Sequence, residues 1–122
     1  MSAARTILLV DDEPFVLESL VDVVDGHDGL RALGTTKVEE ALELLREHDV
    51  AAVVSDLQMP GGGAMRLLEE SGEAGPPVIV ITGVGTVSRA VDAMKAGAFD
   101  FVQKPIDPEA LATLVGGLLG DD

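Results

Sequence analysis

Three aspartates and one lysine stand directly after hydrophobic runs in this chain. Asp11 and Asp12 follow the run ending ILLV, Asp56 follows VAAVVS, and Lys104 follows FDFVQ. If those runs are parallel strands of one sheet, their C-terminal ends deliver the carboxylates and the ammonium to one crevice. Carboxylates packed so closely cannot all stay ionised without a cation among them. The set therefore predicts a divalent metal and phosphate chemistry. Magnesium suits hard oxygen donors, needs only one or two carboxylates and keeps several waters. Zinc would call for His or Cys. His27 and His48 fall in polar connectors and read as solvated surface residues, and the chain has no cysteine.

Each residue also has a plainer explanation. Asp11, Asp12 and Glu13 stand where acids favour a helix N-terminus. That accounts for any one of them, but not for two aspartates after a buried strand facing a third. Asp56 could simply open the turn before Gln58-Met59-Pro60, yet a carboxylate at a strand end opposite Asp12 is a candidate nucleophile for phosphorus. Lys104 would bring a mobile positive charge to a phosphoryl oxygen, and Thr82, ending another apolar run, could donate a hydroxyl to the same group. A cis Lys104–Pro105 bond is compatible with the sequence, but spacing alone does not show it.

The elements that must position these groups alternate along the chain. Thr6–Val10 reads as a buried strand. A helix follows with Pro14 in its first turn, an apolar side of Phe15, Val16, Leu20, Val23 and Val24, and Gly26 and Gly29 closing it. Leu30–Leu33 is a short strand. Thr36 with Glu39 reads as a capping box for a helix whose apolar side is Val38, Ala41, Leu42 and Leu45. Val50–Ser55 is the third strand, and a short helix around Met65–Glu70, frayed at its start, follows three glycines. Ser71–Pro77 is a connector and Val78–Thr82 the fourth strand, with Gly83 and Gly85 loosening its exit. Val87, Ala90, Val91 and Met94 mark a helix stopping at Gly97. Phe99–Gln103 is the fifth strand, and Leu111, Leu114, Val115 and Leu118 carry the last helix. Five strands alternating with five helices predict a doubly wound α/β fold, and right-handed crossovers put the loops after the strands on one edge.

Composition narrows the function. At 122 residues the chain reads as one domain, residues 1–122. Its only aromatics are three Phe, so Val, Leu, Ile and Ala must build the core, as suits a helix-covered parallel sheet. A formal charge of −14 repels nucleic acid and anionic lipid, which argues against either as a direct partner. Without cysteine there is no thiolate catalysis and no disulfide. No apolar stretch approaches a membrane span and the first residues lack a signal-peptide pattern, so a cytoplasmic location is expected.

Taken together, ILLVDDEP, SDLQMPGG, VIVITG, AVDAMKAGAFDF and QKPID resemble the receiver domain of two-component response regulators, in the family's order and over essentially the whole chain. The GVGTVSRAVDAMKAGAFDFVQKP stretch looks most like receivers of nitrogen-regulation and nitrogen-fixation transcription activators. The resemblance implies a flavodoxin-like fold with strand order 2-1-3-4-5. It implies Asp56 as phosphoacceptor and Mg²⁺, with Mn²⁺ able to substitute, held by Asp12, Asp56 and the Gln58 backbone carbonyl, with Asp11 acting through water. Thr82 and Lys104 would be the phosphate-binding residues, with Thr82 and Phe101 as the switch pair. Phosphate would come from a sensor histidine kinase or a phosphotransfer protein. Output would pass through the face of the fourth helix, fifth strand and fifth helix to an effector domain, a partner protein or a second copy; the fourth helix offers Ser88, Arg89, Asp92 and Lys95 there. Such a domain catalyses only its own phosphorylation and dephosphorylation.

Two rival readings are a small magnesium-dependent phosphohydrolase and a phosphate-independent binding module. The first would need a general acid near the nucleophile, commonly an Asp two residues on, where this chain has Gln58. Against the second, every expected site residue is present. Two departures from the family matter. Gly63-Ala64 replaces a common Asp-Gly, which implies a mobile loop and third helix. Gln58 and Val84 stand at positions that tune phosphate lifetime. Apolar Val84 cannot position an attacking water, so the phosphorylated protein should lose its phosphate slowly. Rapid decay of radiolabelled phosphoprotein without a phosphatase would contradict this.

Overall fold

The computed structural model describes residues 4–72, 74–83 and 87–120. Five parallel strands, β1 (Arg5–Val10), β2 (Leu30–Thr35), β3 (Val50–Asp56), β4 (Val78–Thr82) and β5 (Asp100–Gln103), form one sheet in the order β2-β1-β3-β4-β5. Between and after them run α1 (Pro14–Asp25), α2 (Val38–Glu47), α3 (Gly63–Ser71), α4 (Val87–Lys95) and α5 (Pro108–Leu118).

Period-two alternation divides each central strand between two cores. Leu8, Val10, Val53, Val78 and Val80 pack with Val38, Ala41 and Leu42 of α2, Ala64, Leu67 and Leu68 of α3, and Ala93 of α4. Ile7, Leu9, Ala52, Val54, Ile79 and Ile81 face the other way, against Leu20 and Val24 of α1 and Leu111, Ala112 and Val115 of α5. Burial on both faces is why these strands are near-continuous aliphatic runs.

Several boundaries differ from expectation. β2 continues to Thr35, paired with Val10, so Thr36 falls in the connector. Lys37 is the N-cap of α2 and its side chain caps nothing. The Thr35 hydroxyl instead accepts from the Lys37 N–H at 3.1 Å, and Glu39, expected in a capping box, pairs with Arg66 of α3. Helix α3 is not frayed back to Met65. It starts at Gly63, with Gly63 and Ala64 buried, because Gly63 takes a left-handed φ of 57° and lies against the chain; a Cβ there would sit 2.4 Å from the Leu57 carbonyl oxygen.

Apolar faces were also misread in two places. Phe15 is 85% exposed rather than on the buried side of α1, since Leu20 and Val24 face the sheet. In α4, Ala90 and Ala93 are buried while Val91 and Met94 are exposed. Phe99 precedes β5 and is exposed too. Gly85 lies outside the described residues, as does the side chain of Val87. His48 is exposed, as expected, whereas His27 is half-buried, its ring Nδ1 3.3 Å from the Asp28 carbonyl oxygen.

Leu67, fully buried between α3 and the sheet, makes a direct test of this packing. Leu67→Ala should lower unfolding free energy by about 2–5 kcal/mol, measured by urea denaturation followed by far-ultraviolet circular dichroism.

Candidate functional site

Every strand end that sequence reasoning singled out opens on one edge of the sheet. Asp11 directly follows β1, Asp56 closes β3, Thr82 closes β4 and Lys104 follows β5. Ladder-like backbone bonds continue past the strands and fix these groups. Asp11 N–H donates to the Thr35 carbonyl (3.2 Å), Leu57 N–H to the Ile81 carbonyl (2.8 Å) and Lys104 N–H to the Thr82 carbonyl (2.8 Å). The Lys104–Pro105 peptide is cis.

One carboxylate oxygen from each of Asp11, Asp12 and Asp56 lies within 4.8 Å of the others. Asp11 is 0% and Asp56 6% exposed, whereas Asp12 is open to solvent. Lys104 donates from Nζ to Asp56 Oδ2 at 3.1 Å, and Asp56 Oδ1 accepts from the Gln58 N–H at a long 3.4 Å. Asp11 Oδ1 accepts from the Glu13 N–H at 2.9 Å, but its Oδ2 is buried without a hydrogen-bond partner among the described residues. Thr82 is 1% exposed and its Oγ1 likewise has no hydrogen-bond partner among the described residues.

These environments shift the ionisable groups. Burial pushes the Asp11 carboxyl above the ordinary aspartate value, reinforced by the charges of Asp56 and Glu13 and opposed by the Glu13 N–H and Lys104. For Lys104, partial burial pulls downward, but its bond to Asp56 and the charges of Asp56, Asp11 and Glu13 outweigh it and raise the ammonium's pKa. A buried oxygen with no donor, among carboxylates that repel one another, is the donor set a small hard cation would satisfy.

The chain matches the family model described as the response regulator receiver domain over residues 7–116. It belongs to that family. The family accepts a phosphoryl group on an aspartate in two-component signalling and binds Mg²⁺ at an aspartate cluster. Its members act as phosphoacceptor signalling domains and interact with kinases and output domains.

Among curated relatives, the phosphoglycerate transport system transcriptional regulatory protein PgtA of Salmonella typhimurium is 38% identical over 112 residues, covering 90% of this chain and 27% of that protein. The transcriptional regulatory protein FixJ of Azorhizobium caulinodans is 36% identical over 122 residues, covering 98% of this chain and 57% of that one. The receiver thus spans between about a quarter and just over half the length of these relatives. With FixJ and NtrX-like regulators among them, they bear out the likeness to nitrogen-regulation types. A crystal structure of a response regulator receiver domain protein from Clostridium thermocellum superposes with a TM-score of 0.86 at 28% identity, covering 95% of this chain and 94% of that one. The flavodoxin-like fold is thereby shown as well.

Sequence reasoning passed over Glu13 as a helix-terminal acid. Its carboxylate lies 3.6 Å from Lys104 Nζ, a contact that no local pattern announces. Val84 of this receiver lies outside the described residues. Among those described, no helix is long and apolar enough to cross a membrane.

The raised Asp11 pKa has a definite sign. A protonated Asp11 favours the folded state below the ordinary aspartate value, and that contribution is lost as pH rises through the higher folded value. Asp11→Asn should therefore stabilise the metal-free protein relative to wild type increasingly as pH rises above 4, by thermal denaturation. The same substitution should weaken Mg²⁺ binding by about tenfold to a hundredfold, by calorimetric titration.

Proposed function

We propose that Asp56 is the phosphoacceptor of a phosphorylation-controlled switch built as a single receiver domain over residues 1–122. The observation that carries this reading is a nearly buried carboxylate at a strand end, bonded to Lys104 and grouped with two further aspartates. Asp12, Asp56 and the Gln58 backbone carbonyl would hold Mg²⁺, with Asp11 acting through water and Mn²⁺ able to substitute. Bound there, the cation supplies positive charge for the phosphoryl oxygens.

In the transfer, an Asp56 carboxylate oxygen attacks phosphorus. The new O–P bond forms as the donor's N–P bond (phosphohistidine) or O–P bond (acetyl phosphate) breaks, and that electron pair leaves with the donor. Lys104 places its ammonium on a phosphoryl oxygen, and Thr82 offers its unpartnered hydroxyl to the same group. As Thr82 moves in, Phe101, 37% exposed, turns inward to fill the vacated space, a packing change biased by new charge.

Output passes through the α4-β5-α5 face to an effector domain, a partner protein or a second copy. The exposed Val91 and Met94 of α4, Phe101 of β5 and Phe99 just before it support that assignment, since large exposed apolar side chains gathered on one face mark interaction surfaces. The phosphodonor is a sensor histidine kinase or a phosphotransfer protein in the cytoplasm. The −14 charge supports contact with proteins rather than nucleic acid or membrane. Beyond its own phosphorylation and dephosphorylation the domain turns over no substrate.

Incubation with Mg²⁺ and acetyl phosphate, followed by intact mass, should give one phosphoryl adduct that Asp56→Asn abolishes. Rapid multiple turnover would instead mark a phosphohydrolase, and no adduct in wild type a phosphate-independent module.

A further inference from the structure

The acidic run Asp11-Asp12-Glu13 has a third member that the phosphoacceptor reading leaves without a task. Glu13 precedes Pro14, and the proline ring excludes helical backbone at the residue before it. Glu13 is accordingly extended, with φ −95° and ψ 109°, and serves as the N-cap residue of α1. Its side chain makes no capping hydrogen bond, so the carboxylate is free for other work. Meanwhile its N–H is committed to Asp11 Oδ1 at 2.9 Å.

That free carboxylate meets Lys104. Nζ of Lys104 lies 3.1 Å from Asp56 Oδ2 and 3.6 Å from Glu13 Oε1, so the ammonium is strung between an acid at the end of β3 and one at the start of α1. The lysine backbone is pinned in turn through its N–H to the Thr82 carbonyl. An ammonium has three donors. With one on Asp56 and one directed at Glu13, the third is left for an incoming oxygen. A flexible four-carbon stem would otherwise let the charge wander into solvent.

We propose that Glu13 is a positioning residue that anchors the Lys104 ammonium beside Asp56 and so prepares it for the phosphoryl group. The proposal rests on Asp56 being the phosphoacceptor. Glu13 is 62% exposed at its side chain, so its effect is that of a solvent-screened ion pair, about two- to fivefold.

Two measurements test it. The first needs no phosphorylation. The chain has three lysines, Lys37, Lys95 and Lys104, so ¹³C-lysine spectra of the metal-free protein resolve them readily. Wild-type Lys104 should show two inequivalent ε-methylene protons, and Glu13→Gln should narrow the difference between them, since only the Asp56 bond then holds the ammonium, while Lys37 and Lys95 stay unchanged. An unaltered Lys104 signal would overturn the proposal.

The second is a double-mutant cycle on the rate of adduct formation from acetyl phosphate at saturating Mg²⁺. Glu13→Gln should slow wild type two- to fivefold. In a Lys104→Met background it should not slow the reaction, because only relief of repulsion toward the anionic donor remains. Equal ratios in both backgrounds would show that Glu13 acts through its field alone and overturn the assignment. Absence of any adduct in wild type would instead defeat the phosphoacceptor reading, with the lysine spectra still deciding where Glu13 holds the ammonium.

Discussion

Mutual repulsion among desolvated carboxylates is the constraint around which this receiver is organised. Asp11 and Asp56 are removed from water at the edge of an aliphatic sheet, where charges interact far more strongly than in solvent. Left alone, such a pair would push its strands apart. Lys104 supplies one counter-charge, and the unpartnered oxygen of Asp11 invites another. The site is thus held in a state that is costly until further positive charge arrives.

Holding acids in that state demands a frame that does not yield. The two cores on either face of the sheet provide it, because alternate residues of β1, β3 and β4 are locked from both sides. The backbone bonds beyond the strand ends carry the same rigidity into the loops. Gly63 continues this at the β3–α3 connection, where only a residue without Cβ fits over the Asp56 and Leu57 carbonyls. The position at which the receiver resemblance leads one to expect Asp therefore serves close packing of the loop here.

How much of this was legible in the sequence depended on the range of the interaction involved. Aliphatic runs of five or six residues mark strands buried on both faces whatever their neighbours, so β1, β3 and β4 and the residues that end them could be read directly. The convergence of Asp11, Asp12 and Asp56 followed from strand-end placement alone. Failures arose where a partner distant in sequence decided the outcome. Pairing with Val10 drew Thr35 into β2 and displaced the expected cap at Thr36. Arg66 claimed Glu39, and Lys104 met Glu13 across the sheet edge. In α1 and α4, periodicity identified an amphipathic helix but could not say which apolar residues face the sheet. Phe15, Val91 and Met94 lie outside while smaller side chains lie within.

The alanines on the inner side of α4 have a mechanical consequence. A helix seated through bulky side chains is keyed into its neighbours and must break many contacts to shift. Among the described side chains of α4 the buried ones are Ala90 and Ala93, little more than methyl groups, so on that side α4 rests on a smooth bearing rather than a set of teeth. It forfeits little dispersion energy by sliding or rolling along that side.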